Sequence, residues 1–199
     1  MARAQQPAGV TSPNSSTAAQ QQGSNSNNLP TAAAYSRPTG AEKWSHFAHE
    51  AIGPYTLVKT LAVAGVLQAE NSPPDWGQGM KGFGDRVGSE YGRFLAETGG
   101  KYLIAAALRQ DTKYYRCECT GIGHRLGHAI HSTFAARAGD DGHYVFSPAP
   151  ILAPYVGGMT QLAWYPSRFG WKDGVRSGSY GLLYDGAANI AREFISAKF

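Results

Sequence analysis

The chain has 199 residues and a formal net charge of +4, with 16% of its side chains charged. That excess is too small and too dispersed for a nucleic-acid-binding surface, which needs a clustered Lys/Arg stripe. No apolar run approaches the roughly 18 uncharged residues of a conventional transmembrane helix.

The first forty residues hold Gln5-Gln6, Gln20-Gln21-Gln22 and Asn25-Ser26-Asn27-Asn28, with Tyr35 as their one aromatic. Such a composition cannot bury enough apolar surface to offset its ordering entropy, so residues 1–40 are expected to form a disordered tail. Ala2-Arg3-Ala4 has the small-x-small form that precedes signal-peptidase cleavage, although no apolar stretch stands ahead of it. A Gln/Ser/Asn-rich start of this kind suits a mature exported protein, and a cell-envelope location is expected. The tail carries Arg3 and Arg37 and no acid, leaving 16 basic and 14 acidic side chains, nearly balanced, in residues 41–199. A domain of that length buries about 70% of its unfolded surface, enough for a core without staples.

Thr39, with Glu42 three residues on, predicts a capping box and a helix over 41–52 with Trp44, Phe47, Ala48 and Ala51 inward. Gly53-Pro54 ends it. Residues 55–69 are the most apolar stretch, and predict a buried central helix. A Pro/Gly-rich connection, residues 71–84, leads into a segment where Gly84, Gly88, Gly92, Ala96 and Gly100 recur at every fourth position. On a helix these form a slanting ribbon. An apolar arc (Val87, Tyr91, Phe94, Leu95, Thr98, Tyr102) lies beside it, and Arg86, Glu90, Arg93, Glu97 and Lys101 gather on the remaining side. Each interior glycine costs a helix about 1 kcal/mol relative to alanine. The ribbon is therefore expected to pack backbone to backbone against another helix, within the chain or in a second copy of it.

Further helices are expected over 122–138, 155–164 and 178–197, the last with Leu182, Leu183, Ala187, Ile190, Ala191, Phe194 and Ile195 toward the core. Only residues 143–146 alternate like a strand. The fold expected is all-α, a bundle of about five or six helices whose small residues at four-residue spacing favour close crossings.

The runs Asn71-Ser-Pro-Pro-Asp-Trp-Gly-Gln-Gly79, Gly82-Phe-Gly-Asp-Arg86 and Gln110-Asp-Thr-Lys-Tyr-Tyr-Arg116, with Gly142-His143 and Trp164-Tyr-Pro166, resemble a group of small bacterial envelope proteins of no known activity. The resemblance covers most of residues 41–195 and implies an exported, helix-rich protein. The pair Cys117 and Cys119 is not part of that pattern.

The most suggestive chemistry is Cys117-x-Cys119 followed by His124, His128 and His131. His124 and His128 stand i,i+4, the spacing that lets two imidazoles reach one ion, and two thiolates could complete a zinc or copper site. Arg125 occupies the place of a metalloprotease's catalytic glutamate. Alternatively, the histidines face solvent or headgroups on an amphipathic helix, or the two cysteines close a small reducible disulfide in an oxidising compartment. His46, His49 and Glu50 form a second polar set on the first helix. Asp140-Asp141-Gly142-His143 reads as a tight turn and lacks the alternate oxygen ligands of a calcium loop. Gly77-x-Gly79 and Gly82-x-Gly84 follow no strand and lack the Lys-Ser/Thr ending of a phosphate loop, and no nucleophile elbow occurs. Trp76, Trp164 and Trp171 fall at helix ends and in loops, where aromatic rings often mark a membrane interface or pack loops onto a bundle. The function expected is interaction with a membrane surface, an envelope protein or another copy; metal-binding or metallo-hydrolase chemistry is the alternative.

Overall fold

Residues 35–195 are described by the computed structural model. The expected tail therefore lies, for its first 34 residues, outside the described ones. Tyr35 is placed against the domain, its hydroxyl 3.4 Å from Asp111 Oδ2.

Helix α1 spans Gly40–Ile52 and begins as the sequence predicts. Thr39 Oγ1 accepts from the Glu42 N–H at 3.3 Å, and Glu42 Oε2 accepts from the Thr39 N–H at 2.7 Å. Gly53 ends α1, and Pro54 starts α2 (Pro54–Ala69) at a position where a missing N–H costs nothing. A 3-10 turn at Pro74–Trp76 leads to α3, Met80–Ala107. After β1 (Gln110–Asp111) come α4 (Ile122–Phe134), β2 (Ala135–Ala138), β3 (His143–Phe146), α5 (Ala149–Gln161) and α6 (Trp171–Phe194). Side-chain links fix the directions. Gln68 at the end of α2 meets Arg86 near the start of α3, Gln161 at the end of α5 meets Ser89, and Gly158 late in α5 meets Gly174 early in α6. Thus α2, α3, α5 and α6 run alternately up and down.

The protein is mostly helical, and the expectation of an all-α fold is corrected by a small antiparallel sheet in the order β1-β2-β3. The segment 135–138, expected as the last turn of a helix, pairs Ala135 with Phe146 and Ala138 with His143. Helix α5 also begins earlier than 155. Pro150 sits in its first turn, and Pro154 inside it lies against Gly181.

The expectation of α2 as the buried central helix is reversed. Its buried side chains are Thr56, Thr60 and Ala64, whereas Leu57, Val58, Leu61 and Val66 are exposed. The central helix is α3, which shows no exposed residue between 89 and 102. Trp44, expected inward on α1, is 68% exposed, and Leu183 on α6 is 70% exposed. Among the described residues, every buried hydrophobic side chain other than Phe94 and the prolines Pro73 and Pro154 is an alanine. The interior is made of small residues and hydrogen-bonded polar ones.

Backbones approach most closely between α5 and its neighbours. A Cβ on Gly158 would lie 2.4 Å from the Gly174 carbonyl oxygen, and one on Gly157 would lie 2.9 Å from the Arg93 carbonyl oxygen. The ribbon on α3 behaves differently. A Cβ at Gly84 or Gly88 would meet nothing within 4 Å, while Gly92 and Gly100 face the side chains of Trp164 and Val156 at 3.2 and 3.1 Å. Ala96 is half-buried. A continuous backbone-to-backbone seam along that ribbon is not seen.

Candidate functional site

The charged strip of α3 points inward. Arg86, Glu90, Arg93 and Glu97 are all buried. Arg93 stands between two carboxylates, donating from Nε to Glu90 Oε2 at 2.9 Å and from Nη1 to Glu97 Oε2 at 3.0 Å. Gln161 Nε2 donates to Glu90 Oε1 at 2.9 Å and to Ser89 Oγ at 3.1 Å, and Trp164 Nε1 donates to the same hydroxyl at 2.9 Å. Burial holds the Glu97 carboxyl above the ordinary carboxylate range, assisted by the charge of Asp185 and opposed by Lys59 and Arg93. Burial also pushes the Tyr165 phenol up to about 12, with Glu90 adding to the effect.

Arg86 is fully buried and meets carbonyls rather than carboxylates. It donates to the carbonyls of Ser72 at 2.9 Å, Gly77 at 2.9 Å and Pro73 at 3.0 Å, and to Gln68 Oε1 at 2.7 Å. Its guanidinium so ties the connection between α2 and α3 to the bundle. Gly82 makes the space, since a Cβ there would lie 2.8 Å from Arg86 Nη1. Lys101, the last residue of the charged strip, reaches Glu50 on α1, whose other oxygen accepts from Tyr102 at 3.2 Å. His46 and His49 are exposed. Glu50, Lys101, Tyr114, Thr133, Asn189 and Arg192 line a cavity of about 70 Å³, room for a few waters.

The five candidate ligands do not converge as a set. Cys117 and Cys119 are joined as a disulfide. His124 is exposed near the start of α4, and His131 is exposed with its ring edge-on to Tyr144 at 5.3 Å. Cys117 and His128 do come together, and the residue that joins them is Glu193 from the far end of α6. The Cys117 sulfur, a His128 ring nitrogen and a Glu193 oxygen all lie within 4.8 Å of one another.

Glu193 is fully buried. Its Oε1 accepts from the Cys117 N–H at 3.1 Å and lies 3.5 Å from Arg125 Nε, while Oε2 accepts from the Tyr114 hydroxyl and lies 3.6 Å from His128 Nδ1. Burial alone would raise this carboxyl; the donors Tyr114 and Cys117, with His128 and Arg125, outweigh it and hold the group below its ordinary value. The Tyr114 phenol is driven upward by burial and by the same hydrogen bond. Sequence spacing could not find Glu193, because it stands 76 residues from Cys117.

Every exposed residue of α2 is apolar or aromatic, α5 has no charged residue at all, and between 177 and 191 the exposed positions of α6 are Tyr180, Leu183, Tyr184, Ala187 and Ala191. Exposed charges gather at the two ends of the bundle instead. Glu70, Asp75, Lys81, Arg168, Lys172 and Arg176 lie at one end, and Glu42, Arg109, Lys113, Glu118, Asp140 and Asp141 at the other. Trp76, Trp164 and Trp171 mark the first end, and Trp44, Tyr55, Tyr144 and Phe146 the second. Among the described residues no helix is long and apolar enough to cross a membrane. Compared with known proteins, the chain matches no family model, no curated protein and no solved structure.

Proposed function

We propose that this protein is a cell-envelope component that works bedded in a lipid bilayer, acting by interaction rather than by catalysis. The observation that carries the reading is the inverted burial of α2. Its threonines face the other helices, and Leu57, Val58, Leu61 and Val66 face outward. In water this arrangement forfeits about 1.5–3 kcal/mol for each large apolar side chain left exposed. In lipid it costs nothing, and small residues at helix contacts with polar groups paired inside are what association there demands.

A protein partner would cover one face, whereas the apolar residues emerge from α2, α5 and α6 alike. The aromatic rings at both ends suit the boundary between headgroups and acyl chains. Helix α2, with 16 residues, is about 24 Å long, short of the roughly 30 Å hydrocarbon core, so the bundle is read as thinning or entering the bilayer rather than spanning it by conventional helices. The Cys117–Cys119 bridge supports an oxidising, exported location.

Flotation of the full chain with vesicles of mixed zwitterionic and anionic lipid tests the reading. The wild type is expected to rise with the vesicles, and Val58→Glu with Leu61→Glu to stay below while keeping its helical circular-dichroism signal. A wild-type protein that remains at the bottom of the gradient as a discrete oligomer would overturn the lipid reading and make the belt an interface between copies.

A further inference from the structure

The corner at Cys117, His128 and Glu193 has more built into it than a disulfide needs. His128 Nδ1 is buried without a hydrogen-bond partner and lies 3.6 Å from Glu193 Oε2. Two ligands of one tetrahedral zinc ion sit roughly 3.3–3.7 Å apart, given metal–ligand bonds of about 2.0–2.3 Å. The other ring nitrogen, Nε2, lies 3.5 Å from the Tyr144 hydroxyl, so a hydrogen bond there would leave the Nδ1 lone pair free and hold the ring in place. The Cys119 N–H donates to Cys117 Sγ at 3.2 Å.

We propose that reduction of the Cys117–Cys119 bridge converts this corner into a three-ligand site for a zinc-class divalent cation, formed by Cys117 Sγ, His128 Nδ1 and a Glu193 carboxylate oxygen. The bridge is then the gate of the site. A dithiol reductant supplies two electrons, the S–S bond breaks, and two protons give two thiols; Cys117 releases its proton to solvent as the metal–sulfur bond forms. Glu193 Oε1 remains beside Arg125, and Oε2 turns to the ion. Thiolate, carboxylate and guanidinium together carry one negative charge, which a dication offsets. Three protein ligands leave a fourth position for water, the arrangement of a site with reactive or exchangeable coordination. His124 and His131, outside this corner, take no part. The site stands apart from the lipid reading: it is built from one end of α6, the segment before α4, and His128 on α4 itself.

Cobalt(II), added to the full-length protein, is the probe, because a thiolate ligand gives it a charge-transfer band that oxygen and nitrogen ligands do not. The oxidised wild type is expected to show no band, and protein reduced with a phosphine to show one at one equivalent. Cys119→Ser should bind without any reductant, because Cys117 is then permanently free. Cys117→Ser should show no band even when reduced. His128→Ala should weaken binding by more than the roughly 10–100-fold that loss of an outer-shell partner costs. A folded Cys119→Ser protein without the band, or a Cys117→Ser protein that keeps it, would overturn the proposal. Should either variant lose its helical signal, zinc protection of the reduced wild type against alkylation decides instead. Protection of Cys117 supports the site, and equal labelling of both cysteines with and without zinc refutes it.

Discussion

Gly158 on α5 and Gly174 on α6 lie backbone against backbone: a side chain on the first would fall 2.4 Å from the carbonyl oxygen of the second. Neither partner can give way, because what stands in the path is main chain. Gly158→Ala is therefore expected to cost about 1–3 kcal/mol through overpacking. Gly88→Ala, with nothing within 4 Å of the new methyl group, is expected to gain roughly 0.5–1 kcal/mol from helix propensity alone. Chemical unfolding of the two variants side by side checks this, and a destabilised Gly88→Ala would restore the α3 ribbon as a packing seam.

Arg93 is the sole counter-charge hydrogen-bonded to Glu90 and Glu97 among the described residues. Truncation to alanine leaves two buried carboxylates uncompensated, for which a loss of about 3–5 kcal/mol is expected. Uncompensated buried carboxylates take up protons more readily, so the deficit should shrink as pH falls below neutral. Lys81→Ala, which breaks an exposed pair with Asp85, should change stability by less than about 1 kcal/mol. A comparison of melting temperatures across pH separates the two.

Glu50 sets an acid limit. Burial would raise its carboxyl, but the Lys101 ammonium, close and hydrogen-bonded, outweighs that and holds it below the ordinary carboxylate value, with Arg192 and Tyr102 assisting. A folded value below the unfolded one means that the stabilisation is present above about pH 4.5 and is lost as pH falls through the folded value. Glu50→Gln is expected to flatten the acid limb of the urea-midpoint curve against pH. An unchanged limb would show that the pair contributes nothing to acid stability.

The turn between β2 and β3 holds Gly142 at φ +68°, with the Tyr35 ring 2.3 Å from where a Cβ would stand. Gly142→Ala meets both a left-handed backbone and an occupied space, and a loss of at least about 1–2 kcal/mol is expected. Since Tyr35 is the piece displaced, proteolysis in the Tyr35–Thr39 segment should quicken in the variant. Unaltered cleavage would mean that Tyr35 is held by other contacts.

Much of the secondary structure is legible in the sequence. Thr39 and Glu42 announce the start of α1, and the alternation in His143–Phe146 announces β3. Ala135–Ala138 reads as helix because alanine and arginine favour one, and pairing with β3 decides otherwise. The orientation of the helices was hidden for a different reason. Periodicity in α3 separates an apolar arc from a charged strip, and α2 is apolar almost all round; neither pattern says which side turns inward, and expecting the apolar one inside presumes water outside. Of the candidate ligands, Cys117 and His128 were legible from residue type, whereas Glu193 depended on how α6 docks beside α4. No local pattern encodes that.

An interior built from alanine, glycine and paired polar groups has a calorimetric consequence. The heat-capacity increment of unfolding scales with the apolar surface newly exposed and is reduced by newly exposed polar surface. A chain whose Leu57, Val58, Leu61 and Leu183 are already on the outside exposes little new apolar area when its helices part in water. Its increment per residue should fall below the usual 12–15 cal/mol/K, giving a flat stability curve with little cold destabilisation. The protein's resistance to heat would then depend more on the medium around the bundle than on the contents of its core.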